Sequence, residues 1–403
     1  MRVTKADRKL MRAMNNRQIL QLIRQYGPIA RPDLAFQTGL GLSTISIIVA
    51  ELIQAELVRE VGEAESTGGR RPSLLDLNPN ARYAFAMKVA PDRFWVSLVD
   101  LKGKPRATVE VPLIPPVPWD DLAQMAVKQM ETLRTKHRVA KRWILGIGVS
   151  TSGLIDPHTG VCRSSPLLGW NEVPVRETLE RMTRLDVLVE NDVNAYAFGM
   201  WAQENEGGRR NLICITTGPG VGAGIILEGK LYHGSQGGAG EFGHTTIDLH
   251  GPPCKCGRRG CLEVLASDQF LLARATDLAG MGRSARLLGL VKEGQLTPAS
   301  FYKAAQAGDE VARLIYRELG EHLGCGLVNL INLFNPDKII LGGEGVVAAP
   351  FFMDTVRQTV KNYAFPHLAD SVEIVVDDGG EEVWLQGAAL LVVEQFFQIP
   401  AST

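Results

Sequence analysis

Apolar positions recur at helical spacing three times within the first 55 residues. Ile19, Leu20, Leu22, Ile23 and Tyr26 make a stripe over residues 15–26, stopped by Gly27-Pro28. A short second helix is predicted over 31–37, with Thr38-Gly39 turning the chain. A third runs over 42–55 and buries Ile45, Ile48, Val49, Leu52 and Ile53. The period then changes to alternation at 57–61, crosses a polar tip at 63–69 and returns at 74–77. Three helices and a hairpin predict a winged helix-turn-helix over residues 1–80.

From residue 81 the pattern is different. Strands are predicted at 84–89 and 94–100, a proline-rich connection at 112–118, a helix at 122–133 and a buried strand at 144–149 that ends at Ser150-Thr151-Ser152-Gly153. A second set follows, with strands at 211–215, 224–227, 338–343 and 372–376 and a helix at 314–333. The economical arrangement for residues 81–403 is two α/β lobes with a cleft between them. A length of 403 residues and 45% apolar content support two or three domains with ample core. No apolar run approaches the roughly 18 residues of a membrane span, and the charged N-terminus has no signal-peptide core. The cytoplasm is the expected compartment.

Charge alters the picture only locally. The whole chain carries −1, but residues 1–31 hold eight Lys/Arg against the single acid Asp7, a net of +7. That imbalance points to a polyanion-binding arm or, more plainly, to a solvated terminus. In winged-helix geometry the third helix enters the major groove by its N-terminal end. Ser43, Thr44 and Ser46 would meet base edges or phosphates there, although the helix has no Lys or Arg. Affinity for operator DNA would then come from the arm and from Arg70 and Arg71. The flexible run Gly68-Gly69-Arg70-Arg71-Pro72 suits a minor groove, and equally reads as an interdomain linker. A three-helix module with a hairpin can also dock protein.

The candidate chemistry lies in two places. Val187–Ala195 is a strand that ends in Glu190-Asn191-Asp192, with Asn194 two residues on, before a helix begins. Side chains at a strand's C-terminal end face the crevice of an α/β sheet, where Asn and Asp can grip vicinal hydroxyls and Asp192 could take a proton. The plain alternative is helix capping by Asp192 or Asn194. Further on, His244, Cys254, Cys256 and Cys261 fall within eighteen residues. One imidazole and three thiols have the stoichiometry of a closed Cys3His zinc site, which leaves no open position for water and staples a loop. Glu241 and Glu263 bracket the ligands. The glycine loop at 216–224 offers backbone amides for phosphate or simply makes a hairpin turn, and no Walker pattern is present. Cys162, Cys214 and Cys325 read as buried, unpaired thiols.

Three motifs bring a family into view. Glu190-Asn191-Asp192-Val193-Asn194-Ala195, Gly238-Ala239-Gly240-Glu241-Phe242-Gly243-His244 and Cys254-Lys255-Cys256-Gly257-Arg258-Arg259-Gly260-Cys261-Leu262-Glu263 resemble the ROK family of repressors, open reading frames and sugar kinases. The likeness covers nearly the whole chain, and Ser66–Pro72 is similar to the winged-helix repressor branch. The resemblance implies an α/β fold with an N-terminal winged helix-turn-helix and a two-lobed, actin-like, hexokinase-type domain. It implies structural zinc on His244, Cys254, Cys256 and Cys261. It also implies a sugar held by Gly153, Asn191, Asp192, Glu241, His244 and Glu263. His244 would serve both ligands, one ring nitrogen on each. The residue matching Asp192 is the base in the kinases.

Departures from the kinases point away from catalysis. Their glycine-rich first turn is matched by Met87-Lys88-Val89-Ala90-Pro91-Asp92-Arg93, which has no glycine and a proline lacking an amide donor. Gly342-Gly343-Glu344-Gly345 places a carboxylate where the kinases have a small residue near the nucleotide. Leu167 stands near a position where many relatives have a sugar-binding Asn. The expectation is a non-enzymatic DNA-binding repressor of carbohydrate-metabolism genes with a monosaccharide effector, xylose, glucose or a related sugar, working as a homodimer or tetramer away from any membrane. The competing expectations are an ATP-dependent sugar kinase with a DNA-binding head, and a repressor whose effector is a protein.

Overall fold

The structure is a computed structural model that describes residues 8–63, 71–204 and 210–398. The chain forms two compact units. The first comprises Met1–Gly153, His158–Glu190 and Leu385–Thr403, and the second Leu154–Pro157 and Asn191–Trp384.

The first unit opens with α1 (Arg8–Tyr26), β1 (Ile29–Ala30), α2 (Arg31–Thr38), α3 (Leu42–Gln54), β2 (Val58–Glu63) and β3 (Ser73–Leu77). Ile19, Ile23, Leu34, Ile45, Val49 and Leu75 are fully buried together at its centre. The three helices and the β2–β3 hairpin are those the periodicity predicts, and β1 completes a three-stranded sheet in the order β1-β3-β2. Gly39, at φ 69°, ends α2 in the left-handed conformation that a glycine adopts without strain. The wing tip at 64–70, with Arg70, lies outside the described residues.

Helix α1 begins seven residues earlier than the apolar stripe predicts, because its polar first half has distant partners. Arg12 pairs with Glu51 of α3, and Asn16 Nδ2 donates to Glu51 Oε2 at 3.1 Å. Arg31 pairs with Glu60 at 2.8 Å. From Arg8 to Tyr26 the basic arm is therefore helical, and some of the arm's cations are engaged within the protein.

A five-stranded sheet follows in the order β11-β7-β4-β5-β6, built from β4 (Tyr83–Val89), β5 (Arg93–Asp100), β6 (Pro105–Pro112), β7 (Ile144–Thr151) and β11 (Val187–Asn191). β4 and β7 run parallel and β4, β5 and β6 antiparallel. The helices α4 (Trp119–Lys136) and α5 (Val175–Thr183) and the antiparallel strands β9 (Val161–Ser165) and β10 (Trp170–Val173) complete the α/β part of the unit.

The second unit holds β8 (Leu154–Asp156), α6 (Asp192–Glu204) and a sheet in the order β14-β13-β12-β15-β16. Its strands are β12 (Leu212–Thr217), β13 (Val221–Leu227), β14 (Lys230–Leu231), β15 (Lys338–Gly342) and β16 (Glu373–Val376). The supposed glycine loop is a hairpin: Thr217 pairs with Val221, so only Gly218-Pro219-Gly220 turns. Around the sheet lie α7 (Glu263–Ala266), α8 (Asp268–Gly280), α9 (Ala285–Lys292), α10 (Pro298–Gln306), α11 (Glu310–Phe334), α12 (Ala349–Tyr363) and α13 (Pro366–Ser371).

Helix α14 (Glu382–Phe397) returns the chain from the second unit to the first between Trp384 and Leu385. Its final turns meet α1. Arg24 pairs with Glu394 and sits 4.5 Å over the Phe397 ring, and Gln21 Nε2 donates to the Phe397 carbonyl at 2.9 Å. Cys162 and Cys214 are fully buried, as expected, whereas Cys325 is half-buried. No single helix among the described residues is long and apolar enough to cross a membrane.

Candidate metal centre and hydroxyl-binding site

Strand β13 carries glycines because both of its sides are crowded by backbone. A Cβ at Gly224 would lie 2.5 Å from the Val193 carbonyl of α6, and one at Gly222 would lie 2.8 Å from Val193 Cγ2. On the other approach, a Cβ at Gly240, where φ is 90°, would lie 2.0 Å from Ala223 O, and one at Gly243 would lie 2.1 Å from Val221 O. The motif Gly240–His244 thus lies directly on β13, tied by Ala223 N–H donating to Gly240 O at 3.1 Å, while α6 lies against the same strand. In this way two motifs some fifty residues apart in sequence become neighbours in space.

The segment carrying the thiols is a compact knot. Cys254 N–H donates to Arg258 O at 2.7 Å, Gly257 N–H to Cys254 O at 3.0 Å and Leu262 N–H to Thr245 O at 2.9 Å. Gly260, at φ 65°, passes so close to Asp248 O that a Cβ would lie at 1.4 Å. The result brings His244, Cys254, Cys256 and Cys261 together, with one ligand atom of each within 4.8 Å of the others. His244 Nδ1 is 3.6 Å from Cys254 Sγ, and Cys256 Sγ is 3.7 Å from Cys261 Sγ. Two sulfurs bound at about 2.3 Å to one tetrahedral ion stand roughly 3.8 Å apart, so the four residues fit a metal ion. Burial, together with the neighbouring Cys256 and Cys254 thiols, pushes Cys261 up to about 12, whereas a backbone hydrogen bond at Arg258 lowers the exposed Cys256. A bound cation would resolve that strain by taking the place of the protons.

The other imidazole face is turned to a carboxylate, with His244 Nε2 3.9 Å from Glu241 Oε2. Glu241 is exposed. Glu263, at the start of α7, is only 8% exposed and pairs with Lys255 Nζ at 3.2 Å. Lys255, between two of the thiols, is a participant the sequence reasoning missed; its position inside the Cys-Lys-Cys run was the available signal. Gly220 leaves room for Glu263, since a Cβ there would lie 3.1 Å from Oε2.

At the β11–α6 junction the capping residue is Asn191, not Asp192 or Asn194. Its Oδ1 accepts from Val193 N–H at 2.9 Å and from Asn194 N–H at 3.2 Å. Asp192 also accepts from Val193 N–H, at 3.0 Å, and stays half-buried, while Asn194 is buried. Capping and ligand binding are compatible, because a carboxamide that caps through its oxygen still has its amide hydrogens. Gly153 belongs to the first unit, and the other five proposed sugar contacts to the second. Its φ of 112°, and a Cβ position only 2.4 Å from Ser164 O, require glycine.

On α3, Ser43 and Ser46 are exposed and Thr44 is half-buried. Ser46 Oγ donates to Leu42 O at 2.8 Å. Leu42 and Ile47, 55% and 57% exposed, share that surface and were unassigned from sequence. Ile47 falls outside the buried 45/48/49/52 stripe, which was the available signal. Arg71 is exposed. In the β4–β5 turn, Ala90 N–H donates to Arg93 O at 2.9 Å, and Arg93 pairs with Asp92 and Glu110 at 2.8 Å each. Glu344 Oε2 stands 3.2 Å from the position of a Cβ on Gly218.

Comparison with known proteins places these features in context. Residues 86–395 match the ROK family. The xylose repressor of Bacillus spizizenii is 30% identical over 397 residues, covering 98% of each chain. The crystal structure of a ROK family transcriptional regulator, a homologue of the E. coli Mlc protein, superimposes with a TM-score of 0.81 at 26% identity, covering 96% of this chain and 97% of that one. A ROK family glucokinase from Streptomyces griseus, in complex with glucose and AMPPNP, gives 0.65 at 29% identity and covers 77% of this chain and 98% of that one.

Proposed function

This chain belongs to the ROK family, and we propose that it is a sugar-responsive, DNA-binding transcriptional repressor of carbohydrate-metabolism genes. The observation that carries this reading is coverage. A repressor relative and a ROK regulator structure match almost end to end, over 98% and 96% of this chain, whereas the glucokinase structure covers only 77% of it.

Residues 1–80 would bind operator DNA, with Ser43, Thr44 and Ser46 in the major groove, Leu42 and Ile47 against thymine methyls, and Arg70 and Arg71 beside the phosphates. Residues 81–403 would hold a monosaccharide, xylose, glucose or a related sugar. Asn191, Asp192, Glu241 and Glu263 offer acceptors and amide donors to its hydroxyls, and His244 Nε2 contacts one. Zinc on His244 Nδ1, Cys254, Cys256 and Cys261 would supply a structural staple, since four protein ligands leave no place for water. The neutral ring then presents a fixed tautomer to the sugar. A sugar that prefers one arrangement of the protein weakens DNA affinity by its differential binding energy, typically about 1–3 kcal/mol. The working form is a cytoplasmic homodimer or tetramer.

A second reading, an ATP-dependent sugar kinase, draws on Asp192, which stands at the helix start where the kinases keep their base. The glycine-free turn at Ala90-Pro91 and Glu344 beside Gly218 weigh against a bound triphosphate. One experiment separates the two: gel-shift titration of operator DNA with a panel of pentoses and hexoses, run beside a coupled ADP-release assay. Sugar-dependent loss of the shift with no ADP supports the repressor. Turnover of ATP with the effector sugar would reverse the assignment.

A further inference from the structure

The second unit contains a cavity of about 330 Å³ with no part in the sugar or DNA reading. It lies between the β12–β13 turn, the start of α8 and the helices α10, α11 and α12. Leu271, Leu319 and Phe352 supply aliphatic and aromatic wall. Tyr302 and Tyr316 add two more rings, Tyr316 stacking on Phe351 with centroids 5.5 Å apart.

Against that apolar wall stand two carboxylates, Asp268 and Glu344. Among the described residues neither side chain has a hydrogen bond or an ion pair. Asp268 is half-buried and feels Glu344, and burial followed by that like charge raises its pKa to about 6. Ser267, 1% exposed, borders the same cavity, and its hydroxyl has no partner, although Ser267 occupies the N-cap position of α8. A serine at that position usually accepts a hydrogen bond from a helix N–H through its oxygen. Here the helix start is uncapped by side chain, the hydroxyl is unspent, and two acids are unpaired. The remaining charged group is Lys303, exposed, so the lining carries two negative charges and one positive.

We propose that this cavity is a second ligand site, specific for a small organic cation with an aromatic body, such as a primary arylalkylamine. The ring would pack between Tyr302, Tyr316 and Phe352, where aromatic contacts add to area burial. The ammonium would sit between Asp268 and Glu344, converting two unpaired acids into charge-assisted hydrogen bonds. A nucleoside phosphate would instead bring its anion to Glu344, against like charge. The site is not independent of its surroundings. Thr217 borders the cavity, Gly218 O accepts from Asp268 N–H at 2.8 Å, and Gly220, two residues on, leaves the space that Glu263 occupies. One short turn separates the cation from the buried glutamate of the zinc-type loop.

The test is calorimetric titration of the full chain at pH 8 with three probes: phenethylamine, its neutral isostere 2-phenylethanol, and AMP. Phenethylamine is expected to bind at least ten-fold more tightly than the alcohol and than AMP, with the preference shrinking at pH 5 as Asp268 takes up its proton. Asp268→Asn combined with Glu344→Gln is expected to bring amine and alcohol to equal affinity, with an unfolding transition as cooperative as the parent's. Absence of amine binding, equal binding of the alcohol by the parent, an unchanged preference in the double variant, or tighter binding of AMP would each overturn the proposal. None of these outcomes bears on whether the protein represses transcription.

Discussion

Lys255 Nζ stands 3.2 Å from Glu263 Oε1 and joins the thiol loop to a glutamate that is otherwise buried. The ammonium holds one carboxylate oxygen of Glu263 and so orients the side chain. Exchange of Lys255 for Met keeps the aliphatic stem and removes the clamp. Because Lys255 is itself largely exposed, the unfolding free energy should drop by at most about 1 kcal/mol, while affinity for the effector sugar falls roughly ten-fold, about 1.4 kcal/mol. Calorimetry of sugar binding beside chemical denaturation checks the split.

Cys256 is the exposed member of the four clustered residues, so Cys256→Ser should disturb the proposed metal site with little effect on packing. Metal content by mass spectrometry should fall well below that of the parent, and the sugar should no longer release DNA in gel shift. A variant that responds to sugar normally without metal would refute the stapling role of the loop. Chelation of the parent should lower its melting temperature in the same way.

Gly240 should not tolerate a side chain. Its φ of 90° and the 2.0 Å approach of Ala223 O predict that Gly240→Ala loses about 2–4 kcal/mol of stability, measured by urea unfolding. Gly257, also at positive φ but with open space around it, should lose less on the same change.

Legibility from sequence followed the range of the interactions. Local patterns placed α3 over 42–55 against the observed Leu42–Gln54, and the long helix over 314–333 against Glu310–Phe334. The clustering of His244, Cys254, Cys256 and Cys261 was legible because cysteines at close spacing have few other uses. The first half of α1 was not, because the partner of Arg12 and Asn16 is Glu51, well over thirty residues away. Helices α8–α10 and α14 were passed over, and with them the acid pair Asp268 and Glu344, which no local pattern joins. Asn191 as the cap was missed because three polar residues in a row each fit that position. Backbone geometry, not residue type, made the choice.

Asp268 gives stability a pH dependence of definite sign. Its folded pKa, near 6, lies above its ordinary value of 3.8, with Glu344, Lys303, Tyr302 and Tyr316 around the same cavity. The folded protein therefore binds the extra proton. That contribution is complete below about pH 4 and is lost as pH rises through 6. Asp268→Asn abolishes it, so the variant should melt above the parent at pH 8 and lose that advantage progressively as pH falls through 6 towards 4.

Ile47 is exposed on the same surface of α3 as Ser43 and Ser46. Ile47→Glu leaves the buried stripe intact and places a carboxylate against DNA phosphates. Operator affinity should fall at least ten-fold, with unfolding unchanged within about 0.5 kcal/mol. Arg71→Ala should weaken specific and nonspecific DNA alike and flatten the salt dependence by about one unit of slope.

The last helical turns bear on how the protein can be taken apart. Phe397 is 1% exposed, and the residues that touch it include Arg24 and Gln21 near the other end of the chain. A fragment cut at residue 80 would leave that ring bare and Glu394 without its arginine. The reader head is thus no detachable cassette. Chimaeras that graft it onto another sensor are expected to need a matching tail to cover α1.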